Sequence, residues 1–431
     1  MQTEKRPGTL TWLFVAISAI CGATASTSAA PPDEITLAIP GRINTTPWVA
    51  SSGSFVAVVW AASVSGKGDV YIATSRNGGH TFDTPVRVNA LAGDARVSGE
   101  IAPRVSLRSM AGAVPEIAVT WNARDTGAAI RTARSRDGGR TFTAPVTLQA
   151  PGAAGDRGWQ ASAMDDAGTV HTIWLDHRGM AAGKPADPAS HKGAAFAEAS
   201  APKDHDGVAM AQKSALYYSP ARAGAERELF KGVCYCCKTA MVVAPGGVLY
   251  AAWRHVFEGN LRDIAFTSSR DGGKTFSPMT RVHQDGWAIN GCPDDGPAMA
   301  VDAAGTVHMV WPTLLNGADG TLLYATAAAG KAFGKPLRVP TLGSPKPSHP
   351  QVAIDGAGRP VIAWDEVRDG VRRAAFSRAS SGKGAVTFGP IETLSDQPGA
   401  YPVLAAVPDG LVAVWTSGPP DRSTIGVRRV K

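Results

Sequence analysis

The chain has 431 residues, 44% of them hydrophobic and 18% charged, which is enough to bury a large core or several. Length alone suggests two or three domains, but a repeat array fits one domain at this size. The formal charge of +7 is a mild excess of scattered Lys and Arg, with Arg372-Arg373 and Arg428-Arg429 the only late pairs. A nucleic-acid partner is therefore not expected, and a small anionic ligand stays open.

At the N-terminus, Lys5 and Arg6 precede an apolar run over 10–21 and the small residues Ala23-Thr24-Ala25. This is the pattern of a signal peptide over 1–25, with export to the periplasm or beyond the cell. The apolar run is well short of the ~20 residues that span a bilayer, and no later stretch approaches that length, so no transmembrane segment is expected. Cys21 follows Ile20, where a lipoprotein signal requires a small residue. Four cysteines then remain in a mature chain that reads as one domain over 26–431.

Next comes a short apolar stretch at 34–39, followed by seven repeats of one pattern. Each has an apolar strand, a turn often containing Gly, and a strand ending on Trp: Trp60, Trp121, Trp174, Trp253, Trp311, Trp364 and Trp415. The spacing is roughly 50 to 60 residues with one longer interval, the signature of a repeat architecture. The segments 167–174 and 304–311 agree almost residue for residue, which places His171 and His308 in the sheet. After each Trp come a variable loop, a third strand, a turn, and a fourth strand opened by Pro85, Pro145, Pro278, Pro336 or Pro390. Four strands per unit is the plan of a propeller blade. The last unit has only three, leaving 34–39 free to pair beside 425–430 and close the ring, which removes two exposed edges.

The turn between third and fourth strands is nearly identical at 75–82, 135–142 and 269–276, in the last case Ser-Arg-Asp-Gly-Gly-Lys-Thr-Phe. Asn77, Asp137 or Asp271 can fold back onto the amides of its own turn, and the Gly pair accepts positive φ. The long interval between Trp174 and Trp253 holds an insertion over about 178–213, read as a loop or a lid. Loops alternate ends in an antiparallel blade, so the face opposite these turns receives the two-to-three loops and the blade connections. There gather Asp176-His177-Arg178, Arg254-His255, Asp365-Glu366, Arg104, the cysteines, His283, His349 and Tyr401.

Cys234, Cys236 and Cys237 fall in Gly-Val-Cys-Tyr-Cys-Cys-Lys at 232–238, and Cys292 follows one blade later. Two main readings stand side by side, with redox chemistry a third. One is two disulfides pinning these loops, natural in an exported protein. The other is a thiolate metal site with copper or zinc as the cofactor and His255, His283 or His177 as further ligands. The spacing is not a standard zinc pattern.

The repeated octet resembles the Asp box of the sialidase-like β-propellers (BNR repeats), and three copies in register tie the resemblance to the architecture. It implies an all-β propeller of four-stranded blades, seven by the Trp count and six as the alternative, since sialidases have six. It also implies a glycan-directed protein, an exo-sialidase-type glycoside hydrolase if an enzyme. That family uses three arginines, a Tyr activated by a Glu, and an acidic Asp. The residues offered for these roles are Arg42, Arg104 and Arg254, Tyr401 with Glu366, and Asp176. Arg42 lies in Gly-Arg-Ile-Asn, without the aromatic and the proline of the family's first arginine motif, and the set is incomplete as a recognisable whole. The alternative is a non-catalytic propeller whose Cys-rich mouth binds a metal or a partner.

Overall fold

A computed structural model describes residues 1–2, 34–96, 98–124, 127–180, 207–291, 293–380 and 386–431. Each repeat folds into one four-stranded antiparallel sheet, seven in all, at residues 43–87, 104–147, 157–231, 240–281, 298–339, 348–393 and 399–430. We call these blades 1 to 7 in that order. The fourth strand of blade 7 is Glu34–Leu37, paired antiparallel with Thr424–Val430 in the register Glu34↔Arg428 and Leu37↔Ile425. The ring therefore closes with the first and last strands of the described residues in one blade, as the missing strand required, and the seven-blade count holds over six.

Second strands such as Phe55–Val64 read as nearly unbroken apolar runs because neighbouring blades cover both of their faces. All seven repeated tryptophans are at most 1% exposed. Trp60 stacks on its cross-strand partner Tyr71, and Trp174 on Tyr217, the kind of aromatic pair that fixes strand register. Most of these indoles also find an acceptor. Trp174 Nε1 donates to Asp176 (3.0 Å), Trp253 Nε1 to His255 (3.4 Å) and Trp364 Nε1 to Glu366 (2.7 Å), each two residues further along the strand. His171 and His308 lie in the sheet as expected, bonded to Tyr218 and Tyr324.

The octets form compact turns. Ser269 Oγ donates to Asp271, the Gly273 amide donates to Ser269 Oγ, and the Thr275 amide and hydroxyl both donate to Asp271. Those bonds hold the Asp271 carboxyl far below the usual range, the Thr275 hydroxyl foremost. The Asp is a turn-builder, far from the end that carries the unusual residues.

That end is shaped by a recurring irregularity. The innermost strands of blades 1, 3, 6 and 7 each carry a bulge, between Thr45/Trp48, Gly158/Ala161, Ser348/Gln351 and Ala400/Val403. In each bulge one residue with a side chain sits at positive φ: Thr46 (51°), Trp159 (55°), His349 (53°) and Tyr401 (54°). Bulges re-aim side chains, and a left-handed backbone at a histidine and a tyrosine is a local cost that points to function. Of the insertion, Arg178–Met180 is a short 3-10 turn and Gly207–Lys213 a helix; the rest of it, and with it the lid reading, lies outside the described residues.

Candidate functional site

The bulges of blades 6 and 7 bring together a charged cluster that spans the mouth of the central channel. His349 Nδ1 lies 2.7 Å from Asp365 Oδ2, the same oxygen that accepts the Tyr401 backbone amide at 2.7 Å. Arg372 pairs with the other Asp365 oxygen. On the far side of the imidazole, His349 Nε2 is 3.6 Å from Glu100 Oε1, which leads into blade 2. Glu100 Oε2 accepts the Lys238 amide at 3.2 Å, from the entry to blade 4. Lys238 Nζ donates to the Pro350 carbonyl at 3.1 Å and lies 3.5 Å from Asp295 Oδ1 of blade 5, and Asp295 Oδ2 accepts the His349 amide. Segments leading into five blades thus share one network. Gly99 is part of it: a Cβ there would fall 1.9 Å from the Tyr401 hydroxyl, so only glycine lets the phenol reach across.

Burial sets the protonation states. Glu100 is pushed up to about 7, by desolvation first and then by Asp295 and Asp294, with Lys238 and His349 opposing. Burial works against a charged His349, but Asp365, Asp295 and Glu100 outweigh it and hold the imidazole above its ordinary value. Asp365 is buried, yet His349 and Arg372 keep it below the usual carboxylate range. Tyr401 is driven well above its ordinary value by burial, reinforced by Glu100 and Asp365, so its phenol keeps its proton. One site therefore holds a carboxyl raised to near neutrality, an imidazole raised above its ordinary value and a neutral phenol, and groups with displaced pKa values concentrate at functional sites.

The structure scatters the sialidase-type set instead of assembling it. Arg42 pairs with Asp69 on blade 1. Arg104 stacks on Trp48 at 3.8 Å, donates to the Gln160 carbonyl, and is brought down to about 10 by burial against the pull of Glu100. Arg254 is spent on three backbone carbonyls, those of Asp295, Arg262 and Pro312. Asp176 is held by Arg157, Arg178 and the Trp174 indole. Glu366 does not pair with Tyr401; its oxygens accept from the Trp364 indole and the amides of Leu342 and Ser344. Asp176, His255 and Glu366 share one explanation, since each sits two residues past a repeated Trp and meets its indole. Of the set, only Tyr401 is in the cluster, with Arg104 at its edge.

Sequence reasoning missed Glu100, Lys238, Asp294, Asp295 and Arg372. A usable signal was present: Thr46-Pro47, Ala102-Pro103, Gly296-Pro297, His349-Pro350 and Tyr401-Pro402 open five innermost strands alike. Aligning the blades on that proline would have lined up the ring of mouth residues.

Beside this cluster, Cys234, Cys236 and Cys237 are buried with their sulfurs within 4.8 Å of one another. Cys236 is in a disulfide, while Cys234 and Cys237 are free thiols. The expectation of two disulfides is therefore corrected to a mixed state; Cys292 lies outside the described residues. Burial raises the Cys234 thiol, but a hydrogen bond from Cys237 and the charges of Arg262 and Arg254 outweigh it and bring it down to about 6. The Cys237 thiol goes the other way. None of the candidate histidines, His255, His283 and His177, joins the sulfur group among the described residues. His255 is pushed down to about 4 by burial and faces the Trp253 indole, and His283 is bonded to Asp285 at 2.7 Å. Among the described residues no helix is long and apolar enough to cross a membrane.

No family model matches the chain, and no curated protein matches it. Among solved structures it is similar to an alpha-L-arabinanase of Penicillium chrysogenum complexed with arabinobiose, at 12% identity and a TM-score of 0.51, covering 93% of this chain and 98% of that one. It is also similar to an ulvan lyase of polysaccharide lyase family PL25, at 10% identity and a TM-score of 0.51, covering 89% and 96%. A Hadza microbial sialidase is similar at 13% identity and a TM-score of 0.47, covering 90% and 66%. The chain shares its propeller fold with the arabinanase and the ulvan lyase.

Proposed function

We propose that the protein is a glycan-directed propeller, a glycoside hydrolase in kind, exported by its leader, with Glu100, His349 and Tyr401 as its acid–base centre. The observation that carries this is the pair of bulges that hold His349 and Tyr401 at positive φ with Asp365 fixing both. Two solved propellers of the same fold, the arabinanase with arabinobiose and the ulvan lyase, act on glycans, which favours the same ligand class here.

In this reading Glu100, carrying a proton near neutrality, donates it to the leaving glycosidic oxygen. The His349 imidazolium, oriented by Asp365, supplies positive charge beside it, and the Tyr401 phenol donates a hydrogen bond to the sugar. Asp294, exposed on the same rim, offers the second carboxyl for water. A sialidase-type mechanism is disfavoured, because Tyr401 keeps its proton and the arginines are engaged elsewhere.

The test is turnover across a panel of arabinans, uronic-acid polysaccharides and sialosides. With the substrate found, Glu100→Gln and Tyr401→Phe are each expected to lower kcat by about 10²- to 10⁴-fold, while Arg42→Ala leaves it unchanged. Turnover indifferent to Glu100→Gln and Tyr401→Phe would place the chemistry elsewhere.

A further inference from the structure

The cysteine loop and the two arginines behind it are used by nothing described above. Cys234 and Cys237 are 0% and 1% exposed, with their sulfurs 3.6 Å apart. The loop is fixed from both sides: the Cys234 amide donates to the Arg254 carbonyl, and Val233 bridges His255. Arg262, fully buried, donates through Nη1 to Cys234 Sγ at 3.4 Å and through Nε to Asn260 Oδ1 at 3.1 Å. Its Nη2 is buried with no hydrogen-bond partner among the described residues. Arg254, equally buried, spends its donors on backbone carbonyls. Two guanidinium cations are thus sunk beside a dithiol, and among the described residues neither pairs with a carboxylate. A buried charge without a counter-charge is costly, so the site calls for an anion where the sulfurs are.

We propose that Cys234 and Cys237 are the two thiolate ligands of a soft monovalent cation, copper(I). Binding follows Cu⁺ + 2 RSH → [Cu(SR)₂]⁻ + 2 H⁺, and the product carries the single negative charge that Arg262 and Arg254 face. The donor count selects the metal. Cys236 is committed to its disulfide and offers no thiolate, and the nearby histidines are outside the sulfur cluster. Two thiolates suit a two-coordinate d¹⁰ ion and leave zinc(II) two ligands short of its tetrahedron. Packing in the core beside Trp159, Tyr235 and Trp253 keeps water and oxidants away from the pair.

The experiment is an anaerobic titration of the full chain, its Cys236 disulfide left intact, with copper(I) against a chromophoric copper(I) chelator, and with silver(I) followed by native mass spectrometry. One ion per folded chain is expected. Cys234→Ser and Cys237→Ser should each weaken binding at least about 100-fold, since one thiolate alone no longer chelates, and Arg262→Gln by about tenfold, one lost charge-assisted contact. X-ray absorption of the copper-loaded wild type should show two sulfur ligands, and this holds the idea to account even where a variant fails to fold. No uptake by the folded wild type, uptake that survives both cysteine changes, a third or fourth ligand at the ion, or tighter retention of zinc(II) would each overturn it.

Discussion

The rings of His349 and Tyr401 lie 4.0 Å apart, centroid to centroid, across the boundary between blades 6 and 7, and one Asp365 oxygen holds both residues. Each comes from a strained bulge, and the carboxylate that aligns them belongs to the second strand of blade 6. Such a three-way contact needs the two bulges and the blade packing together, which makes Asp365 the residue on which the mouth depends.

Replacing Asp365 with Ala should accordingly do two things. It leaves Arg372 and His349 without their buried partner, a change that typically costs 3–5 kcal/mol by the measure of broken buried pairs, so about that loss is expected in urea denaturation. It also lowers the His349 pKa, readable by NMR titration of the imidazole. A variant of unchanged stability and unchanged His349 titration would contradict the network.

Stability should fall as pH rises from about 5 to 8, because of Glu100 and His349. The folded pKa of Glu100, about 7, lies above its ordinary 4.5, so between those values the native state holds a proton that the unfolded chain has released. Its contribution is full below 4.5 and lost as pH rises through about 7, on the order of 3 kcal/mol at most. His349, also raised, acts with the same sign. Asp365, lowered, loses its contribution only as pH falls below the usual carboxylate range. Glu100→Gln should flatten the decline between pH 5 and 8 in thermal melts; an unaltered slope would mean that Glu100 is not the group responsible.

The third turn offers a paired comparison of neighbouring glycines. Gly272 and Gly273 both have positive φ, 69° and 81°. A Cβ on Gly272 meets nothing within 4 Å, whereas one on Gly273 falls 1.9 Å from the buried Tyr218 hydroxyl. Gly272→Ala should cost about 1 kcal/mol for the left-handed backbone alone. Gly273→Ala should cost more by the clash, on the scale of about 1–3 kcal/mol for overpacking. Equal melting temperatures for the two would refute this geometry of the turn.

Deleting 34–37 removes the outermost strand of blade 7 and uncovers the core beneath Leu37, which is 7% exposed. At roughly 1.5–3 kcal/mol per large buried side chain, the loss should reach several kcal/mol, with a new unpaired edge that promotes aggregation. Calorimetry and light scattering on the truncated chain would measure both.

The repeat itself was legible in the sequence. Seven Trp-ended strands, three Asp-box octets and a last unit short of one strand determine the blade, the count and the closure, because each rests on local pattern and on the need to pair an edge. Which charged residues meet was decided only by the tertiary structure. The resemblance offers Asp176 as the acid and Glu366 as the partner of the Tyr, but each accepts from the indole two residues back, a contact visible only once the strand is packed. Glu100, Lys238, Asp295 and His349 are far apart along the chain and enter from different blades, so only ring closure brings their charges within a few ångströms of one another. The cysteines divide in the same way: their clustering was plain in the sequence, but only the fold buried Arg254 and Arg262, without carboxylate partners among the described residues, beside two thiols left free.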